Sequence, residues 1–186
     1  MEQRKLLTEI ARTLNDLRIP YVVTGSFALA VWGRPRYTAD IDIVIQLLPQ
    51  KLDELADALL DIGKDVYLDK DAMQEALEKH GEFNFIHPAS GLKVDFWILK
   101  NEPYATEQIK RGKIKKIGNQ QVKFISAEDL VLSKLVWYKS TGSERQLDDI
   151  RSVLKMQKSL NLDYIKKWAQ VQSTLKLLEP LLKTKN

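Results

Sequence analysis

The sequence predicts an α/β part to about residue 125, followed by a helical region to residue 186. Two observations carry this. Short β-prone runs alternate with amphipathic stretches in the first part, and from Ser126 onward only helical spacing recurs. A third observation bounds the class: 186 residues, 44% hydrophobic and 29% charged, suffice for one globular domain plus a short helical extension.

Leu6, Leu7, Ile10, Leu14 and Leu17 fall at helical spacing, so residues 3–17 form an amphipathic helix that Pro20 ends. Tyr21-Val22-Val23 is a short strand stopping at Thr24-Gly25. Ser26 then caps a helix through Trp32, terminated by Gly33. Ile41 to Ile45 is a strand. Residues 50–62 carry an apolar face of Leu52, Leu55, Ala56, Leu59 and Leu60, and Asp71 to Lys79 is helical. Glu82 to Ile86 and Leu92 to Leu99 are strands joined by the turn His87-Pro88-Ala89-Ser90-Gly91. Lys113 to Ile117 and Gln121 to Ile125 form a second hairpin around Gly118-Asn119. Ser126 is an N-cap, and Ser143 to Gln146 has capping-box spacing. The tryptophans Trp32, Trp97, Trp137 and Trp168 are spread along the chain as core or half-buried anchors, and neither His80 nor His87 receives a role.

With no cysteine, disulfides, thiolate metal sites and cysteine catalysis are excluded, and two histidines argue against a histidine-rich zinc site. The opening residues lack a signal peptide and no apolar run spans a bilayer, so a cytoplasmic protein with no membrane partner is expected. A net charge of +4 suits an anionic ligand such as a nucleotide or RNA. The basic run Lys110, Arg111, Lys113, Lys115 and Lys116 is either exposed charge or a contact for an RNA backbone.

The informative stretch is Gly25-Ser26, then Arg34 through Ile43. Strand alternation points Asp40 and Asp42 the same way, with Ile41 and Ile43 towards the core. Close carboxylates repel unless a cation sits between them, and magnesium takes hard oxygen ligands of this kind. Asp95 lies in the otherwise apolar strand Val94 to Leu99, where a lone carboxylate must be paired, hydrogen-bonded or bound to metal. If its strand adjoins the 41–45 strand, three carboxylates converge and can hold metal for phosphoryl transfer. The alternative for Asp95 is a salt bridge, to Lys93 or an arginine. Gly25-Ser26 marks a strand-to-helix junction able to hold phosphate, or simply a cap. No Walker-type loop is present.

Together, Gly-Ser, a short helix, Arg36-Tyr37-Thr38-Ala39-Asp40-Ile41-Asp42 and a later Asp95 resemble the nucleotidyltransferase superfamily of DNA polymerase β. The run from Gly33 to Asp42 is similar to the small bacterial branch with antibiotic nucleotidyltransferases and AbiEii-type toxins. The resemblance implies a mixed sheet flanked by helices, with residues 1–125 as catalytic domain and 126–186 as a helical region packed on it. It implies that a nucleoside monophosphate passes from an NTP co-substrate to an acceptor hydroxyl, with Mg2+ or Mn2+ on Asp40, Asp42 and Asp95. Asp95 also helps deprotonate the acceptor. Gly25 and Ser26 match the triphosphate-binding positions, and Arg36 and Thr38 are further nucleotide-binding candidates. In the AbiEii-type branch a helix lysine and an Arg-Asp-x-x-Asp motif follow; here Lys134 is the nucleotide-binding lysine, and Arg145-Gln146-Leu147-Asp148-Asp149 carries Gln146 where the first acid usually stands. Arg34, Asp148 and Asp149 are accessory candidates; the alternative for this later motif is that Lys134 lies on a solvated helix face and that Asp148 and Asp149 pair with Arg145 or Arg151.

The resemblance leaves the acceptor open among RNA or tRNA, a small molecule and a protein, with RNA favoured. The alternative function is a catalytically weak nucleotide- or partner-binding module of a toxin–antitoxin system, paired with an antitoxin protein. A structural protein with merely acidic surface requires coincidence at six or more motif positions.

Overall fold

The computed structural model describes residues 2–183. In chain order the elements are α1 (Glu2–Asp16), β1 (Tyr21–Val23), α2 (Gly25–Trp32), β2 (Asp40–Ile45), α3 (Leu52–Leu60), β3 (Tyr67–Leu68), α4 (Lys70–Lys79), β4 (Glu82–His87), β5 (Leu92–Ile98), α5 (Pro103–Arg111), β6 (Lys113–Ile117), β7 (Gln120–Phe124), α6 (Ala127–Thr141), α7 (Glu144–Met156), α8 (Leu162–Val171) and α9 (Leu175–Lys183). Two compact units interleave along the chain: residues up to 24 with 38–124, and residues 25–37 with those from 125 on. The segment 25–37 belongs with the helical unit.

The first unit holds the whole sheet, in the order β3-β4-β5-β2-β1-β7-β6. β2 pairs with β5, and β1 with β7, in parallel; the other pairs are antiparallel, so the sheet is mixed. Alternation decides what each face does. Ile41, Ile43, Ile45, Val94, Phe96, Phe83 and Phe85 share one face and are almost wholly buried. Phe83 stacks on Phe96 with ring centroids 4.9 Å apart. α3 contacts both α1 and α4, and the three helices form the layer on that face. The opposite face of β2 and β5 carries Asp40, Asp42, Val44, Lys93 and Trp97, all half-exposed, and Asp95.

Several local expectations change. α1 ends at Asp16, within a residue of the expected end, but a turn closes it ahead of Pro20: Ile19 N–H donates to Leu14 O at 2.9 Å and Arg18 N–H to Asn15 O at 3.0 Å, with Arg18 left-handed at φ 55°. This is a helix-terminating turn usually built on glycine. His80 does the same for α4, at φ 51°, and its Nδ1 lies 2.8 Å from Leu99 O, so this histidine is a structural clamp. β3 and α5 were not anticipated. α5 buries only Ala105 and Ile109, too short a stripe to stand out, although Pro103 at its first turn marks the start. Residues 110–111 of the basic run fall in the last turn of this helix.

In the second unit α6 packs on α2, α7 and α8. Ser126 caps α6 as expected, accepting from Asp129 N–H at 3.1 Å. Its hydroxyl donates to Asp129 Oδ2 at 2.6 Å, and Tyr164 donates to Oδ1 at 2.7 Å. Ser143 is the N-cap residue of α7 but its side chain makes no cap hydrogen bond, so no capping box forms. The Gln146 side chain is used elsewhere, as described below. α2 begins at Gly25, one residue before the expected cap, which puts Ser26 in its first turn. Trp137 is 46% exposed and is no core anchor. Gly33 follows α2 where space, not a left-handed turn, demands glycine. A Cβ there would meet Ser152 Oγ at 2.5 Å and Leu29 Cδ1 at 2.9 Å. Gly33→Ala is therefore expected to destabilise the protein by about 1–3 kcal/mol, read as a lower midpoint in urea.

Candidate active site

In the first unit the register of β2 on β5 sets the geometry. Asp40 stands opposite Lys93 and Asp42 opposite Asp95, all on one face. Asn84 of β4 stands on the other side of Asp95. Thr24 N–H donates to Asp42 O at 2.8 Å, which ties the end of β1 to the middle of this row. The Thr38 hydroxyl bonds the backbone of Asp40, accepting from its N–H at 3.2 Å, while Gln3 holds Thr38 O at 2.6 Å. Thr38 thus sets the entry into β2.

Asp95 is 8% exposed. Its Oδ2 pairs with Lys93 Nζ at 2.9 Å, which is the salt-bridge alternative weighed for it. Its Oδ1 is buried without a hydrogen-bond partner. A buried carboxylate oxygen left so costs free energy unless a ligand satisfies it. The hydrogen bond from Asp95, reinforced by the charges of Asp95, Asp40 and Glu82, raises the Lys93 ammonium above the usual lysine value. Lys93 is thus the local counter-charge of the acidic face. Among the described residues no three acidic or histidine side chains are drawn together tightly enough to hold a metal ion as they stand. The carboxylate row is in place, yet in this arrangement Lys93 takes one Asp95 oxygen. The donor set itself, hard carboxylate oxygens with one left unsatisfied, fits a magnesium-type cation.

The second unit contains a buried polar cluster. Lys134 and Asp149 are 4% and 5% exposed and meet at 2.6 Å. Arg36 reaches the same carboxylate through Nε, at 3.2 Å from Oδ1, and Nη2, at 3.1 Å from Oδ2. Gln146 Oε1 accepts from Lys134 Nζ at 3.2 Å. This accounts for the absent reciprocal bond of the capping box, and Gln146 N–H donates to Ser143 O at 2.9 Å instead. It also gives the residue in the place of the family's acid a job that an amide can do. Asp148 points elsewhere, to Arg151 at 2.8 Å, with its side chain 72% exposed. Arg34 is exposed, and only its backbone N–H is engaged, by Ser152 Oγ at 3.2 Å. Gly25 is left-handed at φ 60°, and Ser26 is buried.

The structure therefore brings Asp40, Asp42 and Asp95 onto one face, and Arg36, Lys134 and Asp149 into one cluster. It leaves Asp148 and the Arg34 side chain outside both. Asn84 went unremarked in the sequence, because an exposed strand asparagine carries no signal until the register sets it beside Asp95.

The fold is one shared with solved nucleotidyltransferases. Solved structures with the same fold include an antigenic nucleotidyltransferase-like protein from Paracoccidioides brasiliensis (22% identity, TM-score 0.58, covering 98% of this chain and 92% of that one). Another is the antibiotic-resistance enzyme ANT(2")-Ia in complex with adenylyl-2"-tobramycin (15%, 0.62, 94% and 98%). A third is the lincosamide antibiotic adenylyltransferase LnuA with lincomycin (15%, 0.54, 84% and 98%). A search of curated proteins gave no match. The profile of the nucleotidyl transferase AbiEii toxin family, type IV toxin–antitoxin system, matches residues 6–164. The chain belongs to that AbiEii family. Membership carries transfer of a nucleoside monophosphate from an NTP, and no described helix is long and apolar enough to cross a membrane.

Proposed function

We propose that this chain is a divalent-metal-dependent nucleotidyltransferase whose acceptor is an RNA hydroxyl, acting as the toxin of a toxin–antitoxin pair. The observation that carries the catalytic part is the in-register Asp42–Asp95 pair with Asp95 Oδ1 buried and unsatisfied. Asp40, Asp42 and Asp95 would hold Mg2+ or Mn2+, which supplies charge neutralisation on the phosphates. Asp95 takes the proton of the acceptor hydroxyl. The acceptor oxygen bonds to the α-phosphorus as the bond to pyrophosphate breaks, and pyrophosphate leaves. Lys93 screens the acids from one another while the face is free of ligand. Gly25, Ser26, Arg36, Thr38 and Lys134 are assigned to the nucleotide by the family pattern, with Asp149 holding Arg36 and Lys134 in position. The net charge of +4 supports an RNA acceptor.

The test is transfer of α-labelled ribonucleoside triphosphates, with magnesium or manganese, to total tRNA, to an aminoglycoside and lincosamide panel, and to protein lysate. Label in the tRNA fraction is expected. Label confined to antibiotic or protein would refute the RNA acceptor. Nucleotide binding without any transfer would favour the weak regulatory module, the reading that the Lys93–Asp95 pair supports.

A further inference from the structure

Eight of the chain's cations gather on one part of the first unit. Residues 2–18 and 113–124 carry eight lysines and arginines against three acids, a net of +5, while the whole chain carries +4. The remainder is therefore slightly acidic, and the basic excess is local.

Two adjoining grooves form there, of about 610 and 480 Å³. They share Asn119 and Gln120 at the tip of the β6–β7 hairpin. Arg18 and Lys123 line the first, with the amides of Asn15, Gln120 and Gln121. Arg4, Lys5 and Arg12 line the second, where Glu9 is the one acid among the lining residues. β6 is the sheet edge beside them, with Lys113, Lys115 and Lys116 all exposed.

Lys123 is the most telling of these. It is half-buried, and burial pushes its ammonium below the usual lysine value. Among the described residues no carboxylate pairs with it. A partly desolvated cation with no carboxylate partner, in a groove it shares with Arg18, is arranged for an anion. The register places Lys123 on the face of the sheet that carries Asp42, because Val23 pairs with Phe124 and Ile43. β7 is two strands from β2, about 10 Å at the ordinary strand spacing. Lys123 thus shares the face of the carboxylate row, whereas the α1 cations stand on the side of the helical layer.

Edge lysines also discourage strand pairing between chains. That role accounts for β6, but not for the arginines of α1 or for the unpaired Lys123. A protein interface would be expected to show an apolar, aromatic centre. Here Ile114, 61% exposed, is the one large exposed hydrophobic residue in the two linings.

We propose that the α1/β6–β7 surface docks the phosphodiester backbone of RNA, with Arg12, Arg18, Lys113, Lys116 and Lys123 as the phosphate-contacting cations. This rests on the RNA-acceptor reading above and adds a surface that holds the RNA on the same unit as the carboxylate row. Such contacts are independent of base sequence and fall with salt.

The experiment is filter binding of labelled total tRNA to the full chain across a salt series, without nucleotide. Two variants are compared with wild type: Arg12→Gln/Arg18→Gln/Lys123→Gln, and Lys113→Gln/Lys116→Gln, whose sites are exposed on the edge strand. Lys155→Gln/Lys158→Gln on the second unit is the control. Each test variant is expected to bind tRNA at least tenfold more weakly, with a salt slope shallower by about 0.7–0.9 per lost phosphate contact. The control should bind as wild type. Wild-type binding by both test variants, no tRNA binding by the wild type, or equal weakening in the control overturns the proposal. Because no nucleotide is present, the two readings fail separately. tRNA binding through these cations without label transfer sinks the transferase reading alone. Transfer to RNA with undiminished binding by both variants sinks the docking surface alone.

Discussion

Asp42→Asn is expected to lower nucleotidyl transfer at least a thousandfold while leaving the far-ultraviolet circular dichroism unchanged. The expectation comes from position. Asp42 sits in the middle of β2, opposite Asp95 in the parallel register, with Ile41 and Ile43 buried on the other face. The amide keeps the shape and removes the charge that neutralises a cation on this face. A thousandfold loss corresponds to about 4 kcal/mol of transition-state stabilisation. Asp95→Asn should behave alike, whereas Asp148→Asn, on an exposed pair with Arg151, should transfer as wild type. Full activity in Asp42→Asn would remove the carboxylate row from the chemistry.

The second large effect is on stability. Asp149→Leu is expected to cost about 3–5 kcal/mol, the range for breaking a buried ion pair from one side. For a chain of this size each kcal/mol shifts Tm by roughly 2–4 °C, so a fall near 10 °C is expected by calorimetry. The carboxylate is 5% exposed and takes Lys134 at 2.6 Å and both donors of Arg36. Its loss leaves the Arg36 fork without its acceptor and strips Lys134 of its short ion pair. Asp148→Leu, one residue away but exposed, should change stability by no more than about 0.5 kcal/mol. Equal effects at the two positions would contradict the buried cluster.

Much of this was legible in the sequence because strand alternation is local. Asp40 and Asp42 must share a face whatever the tertiary fold, and Ile41 and Ile43 say which face is buried. The β4–β5 and β6–β7 hairpins were marked by their turns. The pairing of Asp42 with Asp95 was visible only as a condition, since the register between β2 and β5 is set by the parallel crossover and not by nearby residues. Lys93 could be named as a partner for Asp95 because the two lie two residues apart on one strand. The helix ends were harder. Arg18, His80 and Ser173 adopt left-handed backbone where glycine is the usual signal, so the sequence hides those turns. Arg36 and Asp149 are 113 residues apart and meet through the packing of α2 with α7 in the second unit. No spacing rule announces such a pair. Gln146 looked like a defect in a motif and proves to be a hydrogen-bond acceptor for a buried lysine.

The most direct test of the carboxylate face needs no knowledge of the acceptor. Manganese binding would be titrated by calorimetry in the presence of a non-hydrolysable nucleoside triphosphate, for the wild type and for Asp40→Asn/Asp42→Asn. Protein-dependent manganese binding in the wild type, lost in the double variant with its thermal transition intact, is the result expected. Equal binding by both, or none by either, would contradict a metal-dependent centre on Asp40, Asp42 and Asp95.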